Sequence, residues 1–484
     1  MMNPSLSMKI DDAMKKWSFN GIIYVTHMGE KMFEGAYGLA DFEDHIPNTM
    51  DSTFYIASVT KQFTAVCIML LYEKELLDIE DTLDKYLPEY THAKEITLRQ
   101  LMNMSSGIPD YLNDVINDRL CEEEKATTRS SRDFFIYSKK SKGEYFTVEN
   151  VLPMVNELPL QFTPGERMQY SNTNYVFLDR VIESVSGKST DDYLRENIFE
   201  PLGMTHTCVG SQHSTSVSYD DFDGERVRLG RGELCAGDGS IVTTTEDLSL
   251  WLNAVLDGRI LSESSWRQTF EIVHNAYGFG WHQDGCWYCH DGGDLGYDAY
   301  VYICFKKKLA IAMTANIPSG RRPGESIFYK FKAAAPTTGL VKIKLAMMNS
   351  GAEFHMYTVD IYDESVGTLL ASVGRTPAGD PEEEVLWSLK NEGEPAEAET
   401  FSVNEGHLYH LDLQEILGER FSSAATYHIE ASVSATDYTV VHAGYHSGEE
   451  NAWTDAMGMY IGTDLIEERI PKLVYEAVAF PINS

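Results

Sequence analysis

The hydrophobic and polar positions of residues 1–336 change period along the chain, and the changes predict helices and strands in turn. An amphipathic helix is predicted over residues 5–16, and two apolar runs around Met28-Gly29-Glu30 are typical of a β-hairpin. A period of 3.6 residues, with Gly187 and Pro201 as stop signals, predicts further helices over residues 58–75, 98–104, 173–186 and 190–199.

Strand-like segments return after these helices. Short apolar runs predict neighbouring antiparallel strands over residues 277–282, 286–290, 299–305 and 309–314, with a turn at residues 306–308. A last helix is predicted over residues 325–334, ending at Pro336, whereas residues 111–152 and 210–231 give no readable pattern and are expected to be loops beside a cleft. The whole pattern predicts one α/β domain whose sheet takes strands from both ends of residues 1–336.

The pattern of apolar and polar positions changes after residue 336. Alternating apolar and polar positions predict β-strands over residues 341–347, 353–362, 427–434 and 438–445, with a Glu-, Pro- and Gly-rich loop over residues 379–400. Residues 341–484 contain 25 acidic and 7 basic residues, which gives a net charge of −18. We therefore expect residues 337–484 to form a separate acidic, all-β accessory domain, whose charge favours solubility.

Composition and charge exclude several functional classes. The chain is 43% apolar and 23% charged, as in ordinary globular proteins, and it lacks an apolar run of the roughly 20 residues that a membrane span needs. Its formal charge of −35 repels phosphate backbones and anionic lipids, so neither nucleic acid nor a membrane is an expected partner. Residues 1–17 lack the apolar core of a secretory signal, and we expect a cytoplasmic protein.

The seven cysteines are scattered and odd in number, so we expect reduced thiols rather than a disulfide framework. Cys286-Trp287-Tyr288-Cys289-His290 fits the pattern for covalent haem attachment. That interpretation is set aside because haem attachment normally requires export and because His290 fits a second motif described below. The sequence leaves the redox state of Cys286 and Cys289 open.

The first candidate for chemistry is Ser58-Val59-Thr60-Lys61, where a serine stands three residues before a lysine at the start of a predicted helix. Both side chains then lie on one helix face, and a desolvated lysine can supply the base that a weak serine nucleophile needs. The alternative is a capped helix start with a surface lysine. The apolar residues that follow favour a buried helix and a rigid pair.

The second candidate is Tyr170-Ser171-Asn172. A phenol near cations can have its pKa lowered enough to relay a proton, and an amide can hold both a lysine and a substrate carbonyl. The alternative, which is favoured when this stretch is taken alone, is a turn into a helix capped by Asn172.

The third candidate is His290-Asp291-Gly292-Gly293, after a strand-like segment. Glycines beside a strand let a substrate backbone approach closely, and the N–H groups of Gly293 and Ser58 can together form an oxyanion hole. A plain β-turn is the alternative.

Together these motifs resemble the family of serine β-lactamases and penicillin-binding proteins, specifically its class C, D-aminopeptidase and esterase branch, over about residues 10–335. The resemblance rests on Ser58/Lys61, Tyr170/Asn172 and His290/Gly292 in the family's order. Further matching stretches are residues 96–101, 105–109 (Ser-Ser-Gly-Ile-Pro), 201–204, 236–240 (Ala-Gly-Asp-Gly-Ser) and 243–248. It implies an antiparallel sheet flanked by helices, together with a helical subdomain.

The resemblance also implies a serine hydrolase that forms an acyl-enzyme on Ser58. Lys61 and Tyr170 would take the serine proton and pass it to the leaving group, while Asn172, His290, Gly292 and Gly293 would bind substrate. No metal or other cofactor is implied. The expected substrate is a small ester or a short peptide containing a D-amino acid, and the oligomeric state is left open.

One departure from the family pattern bears on the substrate. His290 stands where many β-lactamases have a lysine, and a histidine is largely neutral near pH 7, so less positive charge faces a substrate carboxylate. Asp291 and Asp294 add negative charge nearby. This weakens, without removing, the alternative of a true β-lactamase or DD-peptidase. A third alternative is a non-catalytic binding or assembly protein that retains the fold.

Overall fold

The computed structural model describes residues 4–16, 19–142, 146–210, 213–222, 225–230, 236–274, 277–284 and 286–318, together with strand segments between residues 327 and 463 and Val474. The chain divides into two compact units, which are Met1–Ser319 with Ile470–Ser484, and Gly320–Arg469. The domain boundary that the sequence indicates at residue 336 stays a prediction.

The first unit contains both helices and strands. Its helices are α1 (Pro4–Lys16), α2 (Thr60–Glu73), α3 (Leu98–Met102), α4 (Asn117–Ala126), α5 (Ser131–Lys142), α6 (Val148–Val155), α7 (Asn172–Ser186), α8 (Thr190–Leu194), α9 (Glu200–Leu202), α10 (Ala236–Gly239), α11 (Thr245–Leu256) and α12 (Glu263–Thr269). Its strands are β1 (Gly21–His27), β2 (Glu30–Ala36), β3 (Leu39–Asp41), β4 (Ile46–Pro47), β5 (Thr53–Tyr55), β6 (Cys208–Val209), β7 (Ser218–Phe222), β8 (Glu225–Gly230), β9 (Ile241–Thr244), β10 (His282–Asp284), β11 (Trp287–Asp294), β12 (Tyr297–Cys304) and β13 (Leu309–Ala315).

The main sheet joins the two ends of this unit, as the sequence pattern predicts. Its six strands run in the order β10-β11-β12-β13-β1-β2, and every neighbouring pair is antiparallel. The turn between β1 and β2 has positive φ at Met28 and Gly29, which is the backbone of a two-residue hairpin. The sheet therefore places β11, with the His290 motif, next to the edge strand β10.

Helix α2 forms the centre of the helical part. A helix of a surface layer buries one stripe, but α2 is buried around most of its circumference, including the polar side chains of Lys61 and Gln62. It packs against α7 and α10. The start of α2 is consequently held on several sides, and this rigidity matters for the residues that precede it.

Several predictions for this unit are wrong in detail. Residues 277–282 are mostly a turn, since β10 begins only at His282, and the His290 motif lies within β11 rather than in a β-turn. Residues 111–152 contain a π-helical turn (Tyr111–Ile116) and helices α4 to α6, and residues 210–231 contain the β7–β8 hairpin. Helix α4 is strongly polar, with Leu120 as its buried residue, so its sequence carries little periodic signal.

The second unit is described through its strands. They are β14 (Ile327–Lys332), β15 (Thr337–Met348), β16 (Thr358–Asp363), β17 (Thr368–Gly374), β18 (Val385–Trp387), β19 (Phe401–Val403), β20 (Leu408–Asp412), β21 (Thr426–Ser434), β22 (Val440–Tyr445) and β23 (Met459–Thr463). They pair in the orders β17-β16-β20-β14-β23 and β18-β15-β21-β22, with β19 beside β15. The complete all-β accessory domain over residues 337–484 stays a prediction, and most of the loop predicted over residues 379–400 lies outside the described residues.

The helix predicted over residues 325–334 is wrong, because β14 occupies residues 327–332. Its sequence, Ile-Phe-Tyr-Lys-Phe-Lys, is rich in β-branched and aromatic residues, which favour a strand over so short a length. Across the described ranges, no helix has the length and apolar character that crossing a bilayer would require.

Candidate active site

Ser58 lies in a single 3-10 turn, Ala57–Val59, directly before α2. The backbone is constrained on both sides, since Ile56 N–H donates to the Ile241 carbonyl in β9 and Val59 N–H donates to the Ile56 carbonyl. Ala57 has a φ of +43°, a left-handed conformation that a residue with a Cβ adopts at an energetic cost. The packed surroundings thus hold Ser58 half-buried at a strained corner, with its hydroxyl facing Lys61.

Lys61 is fully buried, and its ammonium is surrounded by acceptors. Nζ donates to Ser58 Oγ at 2.9 Å, to Asn172 Oδ1 at 2.8 Å and to the Asp238 carbonyl at 2.7 Å. An ammonium has three N–H donors, so these three contacts satisfy it. The Tyr170 ring lies 5.1 Å from Nζ and adds a cation–π contact. The buried charge is therefore stabilised, and the predicted Ser58–Lys61 contact is present.

Asn172 is the first residue of α7, and its side chain is buried. While Oδ1 accepts from Lys61, Nδ2 donates to Asp110 Oδ2 at 2.9 Å. The capping interpretation of Asn172 is wrong, since Ser171 occupies the cap position and the Asn172 side chain is turned toward Lys61. Asp110 was not a candidate from sequence, although it directly follows the matching stretch at residues 105–109.

Tyr170 packs its ring edge-on against Tyr277, with ring centroids 6.0 Å apart. Burial raises the pKa of Tyr170 well above its ordinary value, and the neighbouring Ser58 hydroxyl opposes that shift. The predicted lowering of the Tyr170 pKa is therefore wrong, because desolvation outweighs the nearby cation. The hydroxyl makes no hydrogen bond of ordinary geometry within the described part of the chain. A protonated phenol in this place is suited to donate a proton rather than to take one first.

His290 is buried in β11 and forms two hydrogen bonds. Its Nδ1 contacts the Asp291 carbonyl, and its Nε2 lies 2.7 Å from Tyr277 Oη. Burial, together with the neighbouring His282, lowers the pKa of His290 to about 3. Because a carbonyl only accepts, the neutral imidazole must donate from Nδ1 and accept from the Tyr277 hydroxyl at Nε2. The strand side of the site therefore carries no positive charge at His290 near neutral pH.

Gly292 lies against the nucleophile's backbone. A Cβ at this position would lie 2.2 Å from the Ile56 carbonyl oxygen and 3.0 Å from Ser58 N, so no side chain fits there. At the exposed Gly293 a Cβ would meet Asp298 Oδ1 at 3.2 Å. β11 thus runs beside the Ser58 amide, which is the arrangement that an oxyanion hole from Ser58 and Gly293 requires. That role of the two N–H groups stays a prediction.

Asp238, in α10, is a further buried residue of the site that sequence reasoning did not single out. Its carbonyl accepts from Lys61, and its carboxylate Oδ2 accepts from Tyr111 Oη at 2.9 Å. Burial raises the pKa of Asp238 to about 6, with the Lys61 charge opposing. The only sequence signal was its place in the matching stretch at residues 236–240, because a contact through a main-chain carbonyl leaves no mark on residue type.

Two of the remaining sequence candidates lie beside this cluster. Asp291 is exposed on β11 next to His290, and Asp294 ends the same strand. Burial raises the pKa of Asp294 to about 7, with Lys139 and Lys142 opposing. Neither Cys286 nor Cys289 forms a disulfide within the described residues.

The chain is similar to several characterised proteins. The sequence profile of the Beta-lactamase family matches residues 8–334. Penicillin-binding protein 4* of Bacillus subtilis (strain 168) is 29% identical over 327 residues, which are 61% of this chain and 68% of that protein. The structure of a penicillin binding protein from Bacillus halodurans is 25% identical, with a TM-score of 0.53, and the match covers 64% of this chain and 95% of that one.

Two solved structures show the likeness of fold alone. The D-amino acid amidase from Ochrobactrum anthropi SV3 is 24% identical, with a TM-score of 0.54 over 66% of this chain and 92% of that one. The octameric penicillin-binding protein homologue from Pyrococcus abyssi is 18% identical, with a TM-score of 0.56 over 94% of this chain and 99% of that one. Since the family profile spans well over half of the residues and the three motifs meet around Ser58, the chain belongs to the Beta-lactamase family.

Proposed function

We propose that the protein is a serine hydrolase that cleaves an amide or ester bond through an acyl-enzyme on Ser58. One observation carries the proposal, namely the buried Lys61 Nζ that lies 2.9 Å from Ser58 Oγ and is held there by Asn172 and Asp238. Such a distance is within reach for proton transfer, and the surrounding acceptors offset the cost of burying the lysine.

The reaction follows from the placement of these groups. The ammonium of Lys61 must first lose a proton to become a base. As the amine, Lys61 takes the Ser58 hydroxyl proton while Oγ attacks the substrate carbonyl carbon, and negative charge develops on the carbonyl oxygen. Tyr170, which burial keeps protonated, gives its proton to the departing nitrogen or oxygen and recovers one from Lys61. A water molecule then attacks the ester on Ser58, releasing the acid and restoring the serine.

For the substrate we propose a short peptide or amide containing a D-amino acid, rather than an anionic β-lactam. His290 is neutral and the exposed Asp291 follows it, so this wall offers little attraction to a substrate carboxylate. The names of two structural neighbours, a D-amino acid amidase and a D-stereospecific amidohydrolase, support this choice. A small uncharged ester fits the same wall.

The test is a stopped-flow measurement of p-nitrophenyl butyrate hydrolysis by the full chain. We expect a burst of p-nitrophenol equal to the enzyme concentration, an acyl mass on Ser58, and neither in the Ser58→Ala variant. Ser184→Ala, at an exposed serine of α7, is the matched control and should behave as wild type. Turnover that survives in Ser58→Ala would contradict the assignment.

Substrate preference is tested next, with D- and L-alanine p-nitroanilide and with nitrocefin. Selective turnover of the D-anilide supports the proposed substrate class, while faster nitrocefin turnover would replace it with a β-lactamase. Absence of both the burst and labelling by a fluorophosphonate would favour the non-catalytic alternative.

A further inference from the structure

Asp110 is a buried carboxylate directly before the π-helical turn, and all its acceptor capacity is used. Oδ1 accepts from the backbone N–H groups of Leu112 and Asn113, at 2.9 and 3.3 Å. Oδ2 accepts from the side-chain Nδ2 atoms of Asn113 and Asn172, both at 2.9 Å. Four N–H donors on one carboxyl suit the ionised form, which only accepts.

This contact decides which way round the Asn172 amide lies. An amide has a donating end and an accepting end, and a carboxylate can face the donating end alone. With Nδ2 fixed toward Asp110, Oδ1 must face Lys61, where it accepts from the ammonium at 2.8 Å. The reversed amide would place two donors together at Lys61 and two acceptors together at Asp110.

Tyr111, the residue after Asp110, contacts Asp238, whose carbonyl also accepts a hydrogen bond from Lys61. Tyr111 is fully buried, and its hydroxyl donates to the carboxylate of Asp238 at 2.9 Å. The carbonyl of the same Asp238 accepts from Lys61 at 2.7 Å. Asp110 and Tyr111, at the start of the π-helical turn, therefore reach the two groups that, besides Ser58, accept hydrogen bonds from the lysine.

We infer that the dipeptide Asp110-Tyr111 positions the general base Lys61. Asp110 does so by fixing the orientation of the Asn172 amide, and Tyr111 does so by holding Asp238. The inference rests on the proposed function for its catalytic meaning. Neither residue contacts the reacting atoms, and both act through a neighbour.

The charge of Asp110 acts on Lys61 as well. The titratable groups around the Lys61 ammonium are Asp110, Asp238, Tyr170, Tyr175 and His290. Burial raises the pKa of Asp110, while its N–H donors and the charge of Lys61 oppose that shift. The attraction between the carboxylate and the ammonium favours the protonated lysine. Removing the negative charge should therefore let Lys61 lose its proton at a lower pH.

Asp110→Asn gives a sharp test because the outcome can be worked out atom by atom. Oδ1 of the new amide must still accept from the two backbone N–H groups, so its Nδ2 turns toward Asn172. Asn172 then reverses and presents Nδ2 to Lys61. We expect kcat to fall about 10- to 100-fold with KM changed less than about twofold.

Two readouts separate positioning from general damage to the fold. The acid limb of the kcat/KM profile should move to lower pH, and so should the titration midpoint of Lys61, followed by NMR with ¹³C-lysine, by about one pH unit. Asp114→Asn is the matched control, since Asp114 accepts from Asp110 N–H in the same loop and keeps an acceptor as asparagine. It should move neither readout.

A double-mutant cycle tests the route through Asn172. If Asp110 acts through that amide, Asp110→Asn added to Asn172→Ala should lower kcat by no more than about twofold further. Should Asp110→Asn fail to fold, Tyr111→Phe carries the test, because it removes one hydroxyl from a retained ring. A fall in its kcat of about three- to tenfold at unchanged KM is expected.

The two hypotheses fail in different ways. Absence of Ser58 labelling in the wild type would overturn the proposed function, while the NMR midpoint of Lys61 would still judge the role of Asp110. An active wild type whose Asp110→Asn variant keeps its kcat and an unshifted Lys61 midpoint would overturn the inference alone.

Discussion

Two sides of the candidate active site differ in charge. We call the start of α2, with Lys61, the helical wall, and β11, with His290, the strand wall. The helical wall contains a fully buried cation, Lys61, and satisfies it with Ser58, Asn172 and the Asp238 carbonyl. The strand wall contains a buried histidine, His290, which burial and His282 keep neutral. Both walls are desolvated, yet only the first supplies enough acceptors to stabilise a charge. Because both side chains are buried, the difference in charge comes from the ordinary basicity of each group and from its neighbours, which are three acceptors for Lys61 and a second histidine for His290.

The comparison predicts that removing the cation of the helical wall has the largest effect. Lys61→Met keeps the volume but removes the base, and we expect kcat/KM to fall about 1000-fold or more. Lys74 is an exposed lysine directly after α2, and Lys74→Met should keep kcat/KM close to that of the wild type. Steady-state kinetics on p-nitrophenyl butyrate check both variants, and a Lys61→Met enzyme within tenfold of wild type would contradict the assignment.

The second-largest effect is expected where Gly292 of β11 packs against the backbone that precedes α2. Gly292→Ala places a Cβ 2.2 Å from the Ile56 carbonyl, so β11 must move away from the Ser58 amide, and kcat should fall about 100-fold. In Gly293→Ala the nearest atom to the new Cβ is a side-chain oxygen, Asp298 Oδ1 at 3.2 Å, and the Tyr297 carbonyl lies at an ordinary contact distance of 3.9 Å, so kcat should fall only about 10-fold. Equal losses in the two variants would show that the close approach at Gly292 is unimportant.

The free energy of unfolding should depend on pH through a buried carboxyl group in α7, that of Asp179. Burial in α7 raises the pKa of Asp179 to about 7 from an ordinary value of 3.8. The protonated form is therefore favoured in the folded chain, and this stabilising contribution is complete below about pH 4 and is lost as the pH rises through 7. Relative to Asp179→Asn, the wild type should lose about 2 kcal/mol of unfolding free energy between pH 5 and 8.

Urea denaturation at several pH values measures this difference. Glu157→Gln, at an exposed carboxylate outside α7, should leave the pH dependence as in the wild type. A parallel pH dependence in the wild type and Asp179→Asn would rule out a buried, protonated Asp179.

The smallest expected effect concerns His290, whose protonation state should not change with pH. With a pKa of about 3, His290 should keep its neutral imidazole throughout pH 5–8. Its NMR ring signals, assigned by their loss in His290→Gln, should stay constant over this range. A titration midpoint between pH 5 and 8 would mean that the strand wall does gain a positive charge, and the comparison between the walls would fail.

Much of the fold was predictable where local periodicity agrees with tertiary packing. The β1–β2 hairpin, helices α2 and α7, and strands β12 and β13 lie close to their predicted ranges. The π-helical turn and helix α4 were missed because irregular turns and polar stretches carry little periodic signal, whereas α6 is apolar but only eight residues long and contains Pro153. Predicted helix 325–334 is a strand because its β-branched and aromatic residues override an apparent helical period.

The site shows the same division. Ser58 and Lys61 are three residues apart, so local helix geometry already brings them together. Asn172 and Asp238 lie 111 and 177 residues from Lys61, and Asp110 has a role only because it reaches Asn172. No short-range rule connects such positions. Asp238 is harder still to predict, since it contacts Lys61 through a carbonyl that every residue possesses.

The sequence by itself determined the residue types of the candidate site, their order along the chain, the short helices and strands that carry them, and the large negative charge. Only the tertiary structure decided which of these groups are charged and which way they point. Burial raises the pKa of Tyr170 and lowers that of His290, while distant acceptors enclose the ammonium of Lys61. The reason is physical, because desolvation and hydrogen bonding depend on neighbours that the chain brings together only when it folds.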